Sequence, residues 1–68
     1  MMDLKHCRKA NNLSRIGINS TDYGYLCEVW ADDLKFISAS AQSADVAVRK
    51  ALRLVSNRRR ELAKATQS

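Results

Sequence analysis

Ser43–Lys64, SADVAVRKALRLVSNRRRELAK, decides how the rest of this chain is read. Advancing about 100° per residue, Ala44, Val48, Ala51, Leu52, Val55 and Leu62 gather into one apolar stripe. Arg49, Lys50, Arg53, Arg60 and Lys64 fall on the opposite side. No Gly or Pro interrupts the run. Ser43 is placed to cap the helix, because its hydroxyl can accept from a free amide of the first turn. Asp45 puts a negative charge at the positive helix end, four residues before Arg49. The pattern predicts an amphipathic helix over residues 43–65. Two residues break it. Val46 lies on the polar side, and Arg59 lies on the apolar side, where it is expected to mark fraying or the point at which the helix outruns its neighbour.

The charge distribution follows the same division. The chain has 68 residues and a net charge of +5. The basic residues of the helix are Arg49, Lys50, Arg53, Arg58, Arg59, Arg60 and Lys64, against Asp45 and Glu61. Elsewhere Lys5, Arg8, Lys9, Arg15 and Lys35 balance Asp3, Asp22, Glu28, Asp32 and Asp33. The body is neutral and the last helix is positive. Such a face attracts acidic surfaces, whether of nucleic acid or of protein. The candidate binding residues are therefore Arg49, Arg53, Arg58, Arg60 and Lys64. The bland alternative is a solvated helix end that keeps a small protein soluble.

Working back toward the start, residues 13–41 read as a three-stranded antiparallel sheet. Ile16 and Ile18 alternate with Arg15, Gly17 and Asn19, as in a short strand with one buried face. Ser20–Gly24 is a polar turn. Tyr25–Ala31 is rich in aromatic and β-branched residues, and Leu34–Ala41 returns after Asp32-Asp33. A two-residue turn would set Ala31 opposite Leu34, Val29 opposite Phe36 and Cys27 opposite Ser38. One face then carries Tyr25, Cys27, Val29, Leu34 and Phe36, all apolar, and should receive the helix. The other carries Leu26, Glu28, Trp30, Lys35, Ile37 and Ala39. Leu26, Trp30 and Ile37 are the candidate apolar contact face, to be covered by the N-terminal segment, a partner or a second copy. The reverse assignment puts Trp30 under the helix. Residues 1–12 form a short helix or arm, with Leu4, Cys7 and Ala10 on one side. Residues 65–68 are expected to fray. The expected fold is α+β in a single small domain.

Catalytic and metal signatures are missing from the pattern. His6, Cys7 and Cys27 do not supply the ligand number or spacing of a zinc site. Asp32-Asp33 reads as a turn, and Gly17 and Gly24 make no phosphate-cradling loop. Two cysteines are too few for a disulfide framework and are expected to be reduced. The expectation is no enzyme, no cofactor and no metal. No apolar run approaches the roughly 18 residues of a membrane span, and MMDLKHCRKANN lacks the apolar core of a signal peptide. A cytoplasmic protein is expected.

The order helix, three strands, helix resembles that of double-stranded-RNA-binding domains. That family opens its second helix with a lysine-rich motif, where this chain has Ser43-Ala44-Asp45-Val46, and the family's Gly-Pro loop has no counterpart here. From Gly24 to Val55 the chain resembles small phage and prophage proteins of the ABA-sandwich type. The residues that carry this are Trp30, Ser38-Ala39-Ser40-Ala41 and Ala44–Leu52. The resemblance implies a compact accessory protein that acts by binding, with no catalytic residues to carry over. Its expected partner is a host protein or protein–nucleic-acid complex, such as a CRISPR or other defence complex, in the host cytoplasm. The other expectations are a nucleic-acid-binding protein that uses Arg49, Arg53, Arg60 and Lys64, or self-association through the Trp30 face.

Overall fold

The computed structural model describes residues 3–67, with side chains through residue 65. Met1, Met2 and Ser68 lie outside the described residues. The order is α1 (Leu4–Ala10), β1 (Arg15–Thr21), β2 (Gly24–Ala31), β3 (Lys35–Ala41) and α2 (Ala44–Gln67). This is the α+β fold expected, an antiparallel sheet in the order β1-β2-β3 with a short N-terminal and a long C-terminal helix.

Both helices lie against the same sheet face. Ile16, Val29 and Ile37 form one inward row across the three strands, and Ile18, Cys27 and Ala39 form the next. Val48 and Val55 of α2 pack on this face with Cys7 of α1 and Leu13 of the α1–β1 connection. Ala47 and Ala51 are fully buried, so α2 approaches the sheet on its smallest side chains. Each buried Val or Ile side chain contributes about 1.5–3 kcal/mol. Cys7 and Cys27 are unbridged and buried in this layer.

Local chemistry sets the helix ends. The Asp3 carboxylate accepts from the Lys5 and His6 amides at 3.0 and 3.4 Å, which starts α1. Asn11 ends it, donating from Nδ2 to the Cys7 carbonyl at 2.9 Å, and Asn12 turns the chain away with φ 56°. Ser43 caps α2 as expected, its hydroxyl accepting from the Val46 amide at 3.3 Å. Gly24 has φ 145°, and a Cβ there would run into the Ala41 carbonyl and Gln42 Cα, so β2 begins on the one residue type that fits.

The β2–β3 turn corrects the expected register. Three residues, Asp32, Asp33 and Leu34, separate the paired Ala31 and Lys35. The Leu34 amide donates to the Ala31 carbonyl at 3.2 Å, and Lys35 takes a left-handed φ of 64°. A two-residue turn favours positive φ at its centre, which Asp-Asp supplies poorly, whereas a three-residue turn needs it once. The extra residue inverts the faces of β3. Ile37, expected on the open face, is buried at 8% exposure, and Phe36, expected in the core, is 57% exposed. Ala39 likewise turns inward, half-buried against the core. In β2, Cys27 and Val29 face in and Trp30 faces out as expected, but Tyr25, expected on the core face, is exposed, because the buried cluster on this strand begins at Cys27.

The end of α2 also differs from expectation. The helix runs unbroken to Gln67, through residues expected to fray. At about 1.5 Å per residue its 24 residues span about 36 Å, longer than any strand here, and the molecule extends 42 Å along its long axis.

Ile37→Ala should lower unfolding free energy by about 2–5 kcal/mol, and Phe36→Ala by under about 1 kcal/mol. Urea denaturation of the two variants checks the register, since a two-residue turn would reverse their order.

Candidate functional site

Three surfaces carry the side chains that remain unused by the core. The first is the outer side of α2. Arg49, Arg53, Arg60 and Lys64 are all exposed there. Arg49 and Arg53 flank a shallow depression of about 250 Å³ with Val46 and Lys50. From Arg49 to Lys64 the row spans about 22 Å along the helix. Among the described residues no carboxylate forms an ion pair with any of the four. Arg58, grouped with them in the sequence, stands elsewhere. It lines a groove beside β3 with Phe36, Ile37, Ser38, Leu54, Asn57 and Glu61. Lys50 reaches the Ser40 carbonyl at 3.4 Å.

The second surface is the outer sheet face. The register sets Arg15, Trp30 and Phe36 in one row across the strands, Gly17, Glu28 and Ser38 in the next, and Asn19, Leu26 and Ser40 in the third. No described helix covers this face, because α1 and α2 share the other. Covering by the N-terminal segment, one of the expected arrangements, is therefore not what α1 provides. Trp30 is 40% exposed. Ser14, Arg15, Glu28, Val29, Trp30 and Phe36 line a cavity of about 490 Å³. Asn19 Nδ2 donates to Glu28 Oε1 at 3.0 Å, which orients the carboxylate. Of the expected apolar trio, Leu26 and Trp30 lie on this face and Ile37 does not. Phe36 and Arg15 are the residues that sequence reasoning missed. For Arg15 the signal was its alternation with Ile16, which sets it on the face of Trp30; for Phe36 no local signal existed, because Leu34 is inward with either turn length.

The third feature is Arg59, expected to mark fraying. It does the opposite. Its Nε donates to Asp33 Oδ2 at 2.9 Å and its Nη2 to Asp33 Oδ1 at 3.3 Å. Nη1 donates to the Asn11 carbonyl, and Nη2 also reaches the Asn12 carbonyl at 3.2 Å. One guanidinium thus ties α2 to the β2–β3 turn and to the end of α1. It holds the Asp33 carboxyl below the usual carboxylate range, chiefly by hydrogen bonding. This clamp is structural.

No titrating constellation accompanies these surfaces. Burial pushes the Cys27 thiol up, with Cys7 and Glu28 adding to the effect, so it stays protonated. Among the described residues no group of three or more His, Cys, Asp or Glu side chains is placed to hold a metal ion. Among them, too, no helix is long and apolar enough to cross a membrane. Comparison with protein families, curated proteins and solved structures found no match to this chain.

Because the folded-state pKa of Asp33 is depressed, its pairing stabilises the fold fully above about pH 5 and is lost as pH falls below about 3.9, through the folded value. Arg59→Ala should therefore flatten the acid limb of a stability–pH profile measured by urea midpoints. It should also cost more stability at pH 7 than Arg60→Ala does.

Proposed function

We propose that this chain is a non-enzymatic, phage-type accessory protein that binds a host protein complex through the outer side of α2 and modulates or inhibits it. The observation that carries the reading is the row Arg49, Arg53, Arg60 and Lys64, exposed, unpaired with any carboxylate among the described residues, and set on a body of balanced charge. Opposite-facing residues of the same helix, as far as Val55, hold the sheet, so Arg49 and Arg53 are fixed on the body while Arg60 and Lys64 are carried by the last turns of the helix. Guanidinium groups on a fixed helix suit planar recognition of carboxylates or phosphates on a partner. The phage-type context, and a CRISPR or other defence complex as the host target, rest on the resemblance of Gly24–Val55.

A second reading is direct nucleic-acid binding by the same row. It is favoured by the straight run of about 22 Å, over which four cations can meet successive phosphates.

Capture from host lysate should be abolished by Arg53→Glu/Arg60→Glu and retained by Trp30→Ala. The reverse result would move the site to the sheet, and capture by both variants would remove the proposal. For the second reading, binding should weaken with salt at a log–log slope of about −3.6 for duplex DNA or about −2.8 for a single strand, given four phosphate contacts. No binding at low salt would eliminate it.

A further inference from the structure

The open sheet face has a chemistry distinct from that of α2. Trp30 and Phe36 sit directly opposite each other on adjacent strands, both exposed, with Arg15 next to Trp30 in the same row. Arg15 and Glu28 line the cavity with the two aromatic rings, and a second carboxylate, Asp32, borders it through the Ser14 hydroxyl at 3.5 Å. Gly17 lies beside them, and a Cβ added there would meet nothing within 4 Å, so the face stays open next to the rings.

From this juxtaposition we propose that the outer sheet face binds single-stranded nucleic acid, seating a guanine base against Trp30 and Phe36 with its edge on Glu28. This site is separate from the α2 row and does not depend on it.

Three physical arguments lead there. Exposed aromatic side chains on a sheet stack unpaired bases, which a duplex keeps inside its own stack. A carboxylate on such a platform repels phosphate, so it is useful only where the ligand offers donors. Guanine presents N1–H and N2–H side by side, which match the two oxygens of Glu28. Adenine offers one donor beside an acceptor, and uracil one donor between two acceptors, so each sets a lone pair against the carboxylate. Asn19 holds Glu28 by one oxygen and leaves further lone pairs for the ligand. Arg15, at the end of the row, is placed for the phosphate.

The size of the face argues against a second copy as its occupant. Three strands at about 4.8 Å spacing and seven residues long present on the order of 350 Å². A standard dimer interface takes about 800 Å² of accessible surface from each partner, more than a footprint of this size supplies even with its side chains counted at about twice the flat area. A base with its flanking phosphates needs far less.

Trp30 is the sole tryptophan of the chain, so intrinsic fluorescence reads the site directly. A short single-stranded RNA of alternating guanosine and uridine should quench it saturably, about tenfold more tightly than an all-uridine or all-adenosine strand of equal length. Glu28→Gln should bring these affinities to within about threefold of one another, because the amide replaces one acceptor by a donor. Phe36→Ala, a change at an exposed position, should weaken binding of every strand about tenfold. Arg49→Glu/Arg53→Glu should leave the preference for guanosine intact. The proposal is overturned by an absence of quenching with all strands, or by an unchanged preference in Glu28→Gln. It is equally overturned if the Trp30 signal changes only with protein concentration and rising mass, which would mean that a second copy occupies the face.

Discussion

The left-handed backbone at Lys35 is the constraint on which the rest of the molecule depends. It lets three residues, rather than two, turn the chain between β2 and β3. Leu34 then folds under the turn into the core, Ile37 joins Val29 and Ile16 beneath α2, and Phe36 moves out beside Trp30. Because side chains alternate strictly along a strand, no smaller change could produce these effects, and none of them could occur alone. The same turn presents Asp33 to Arg59. Core composition, the open face and the clamp on α2 all follow from one backbone dihedral.

Arg59 shows how a residue that violates a pattern can be essential to it. On a helical wheel it interrupts the apolar stripe, and at that level it looks like a defect. In the folded chain the stripe has passed the end of the sheet by this turn of the helix. What lies beneath is a carboxylate and two carbonyls. A long side chain with a flat, multi-donor head satisfies all of them while its stem stays against the core. Beyond it, α2 continues to Gln67, and from Arg60 to Ala65 every side chain is exposed. The clamp therefore separates a stretch of α2 that is held from one that projects.

The two-layer arrangement divides the surface by chemistry. The helix layer turns a row of guanidinium and ammonium groups outward, and the sheet layer exposes aromatic rings flanked by Arg15 and Glu28. These faces point away from each other, so the protein can touch two things at once. The α+β class, the strand count, the long C-terminal helix and the Ser43 cap were all legible beforehand, because periodicity and capping are local properties of a few neighbouring residues. The inward set of β1 and β2 was legible too, since Ile16, Ile18, Cys27 and Val29 alternate cleanly. Phe36 was misplaced because a run such as Lys35–Ile37 has apolar residues on both faces, and only the turn decides between them. Arg58 was grouped with the wrong neighbours because three consecutive arginines point three ways around a helix.

By itself, then, the sequence determined the elements, their order and the sidedness of the C-terminal helix, all of which depend on spacing along the chain. Tertiary structure decided which β3 residues are core, what Arg59 binds, and that the Trp30 face stays uncovered among the described residues. The β3 core set depends on how many residues the β2–β3 turn takes, and the partners of Arg59 on contacts 26 and 48 positions away, with Asp33 and Asn11. At such separations the energy of an individual side chain depends on where the whole chain has gone, and no local pattern encodes it.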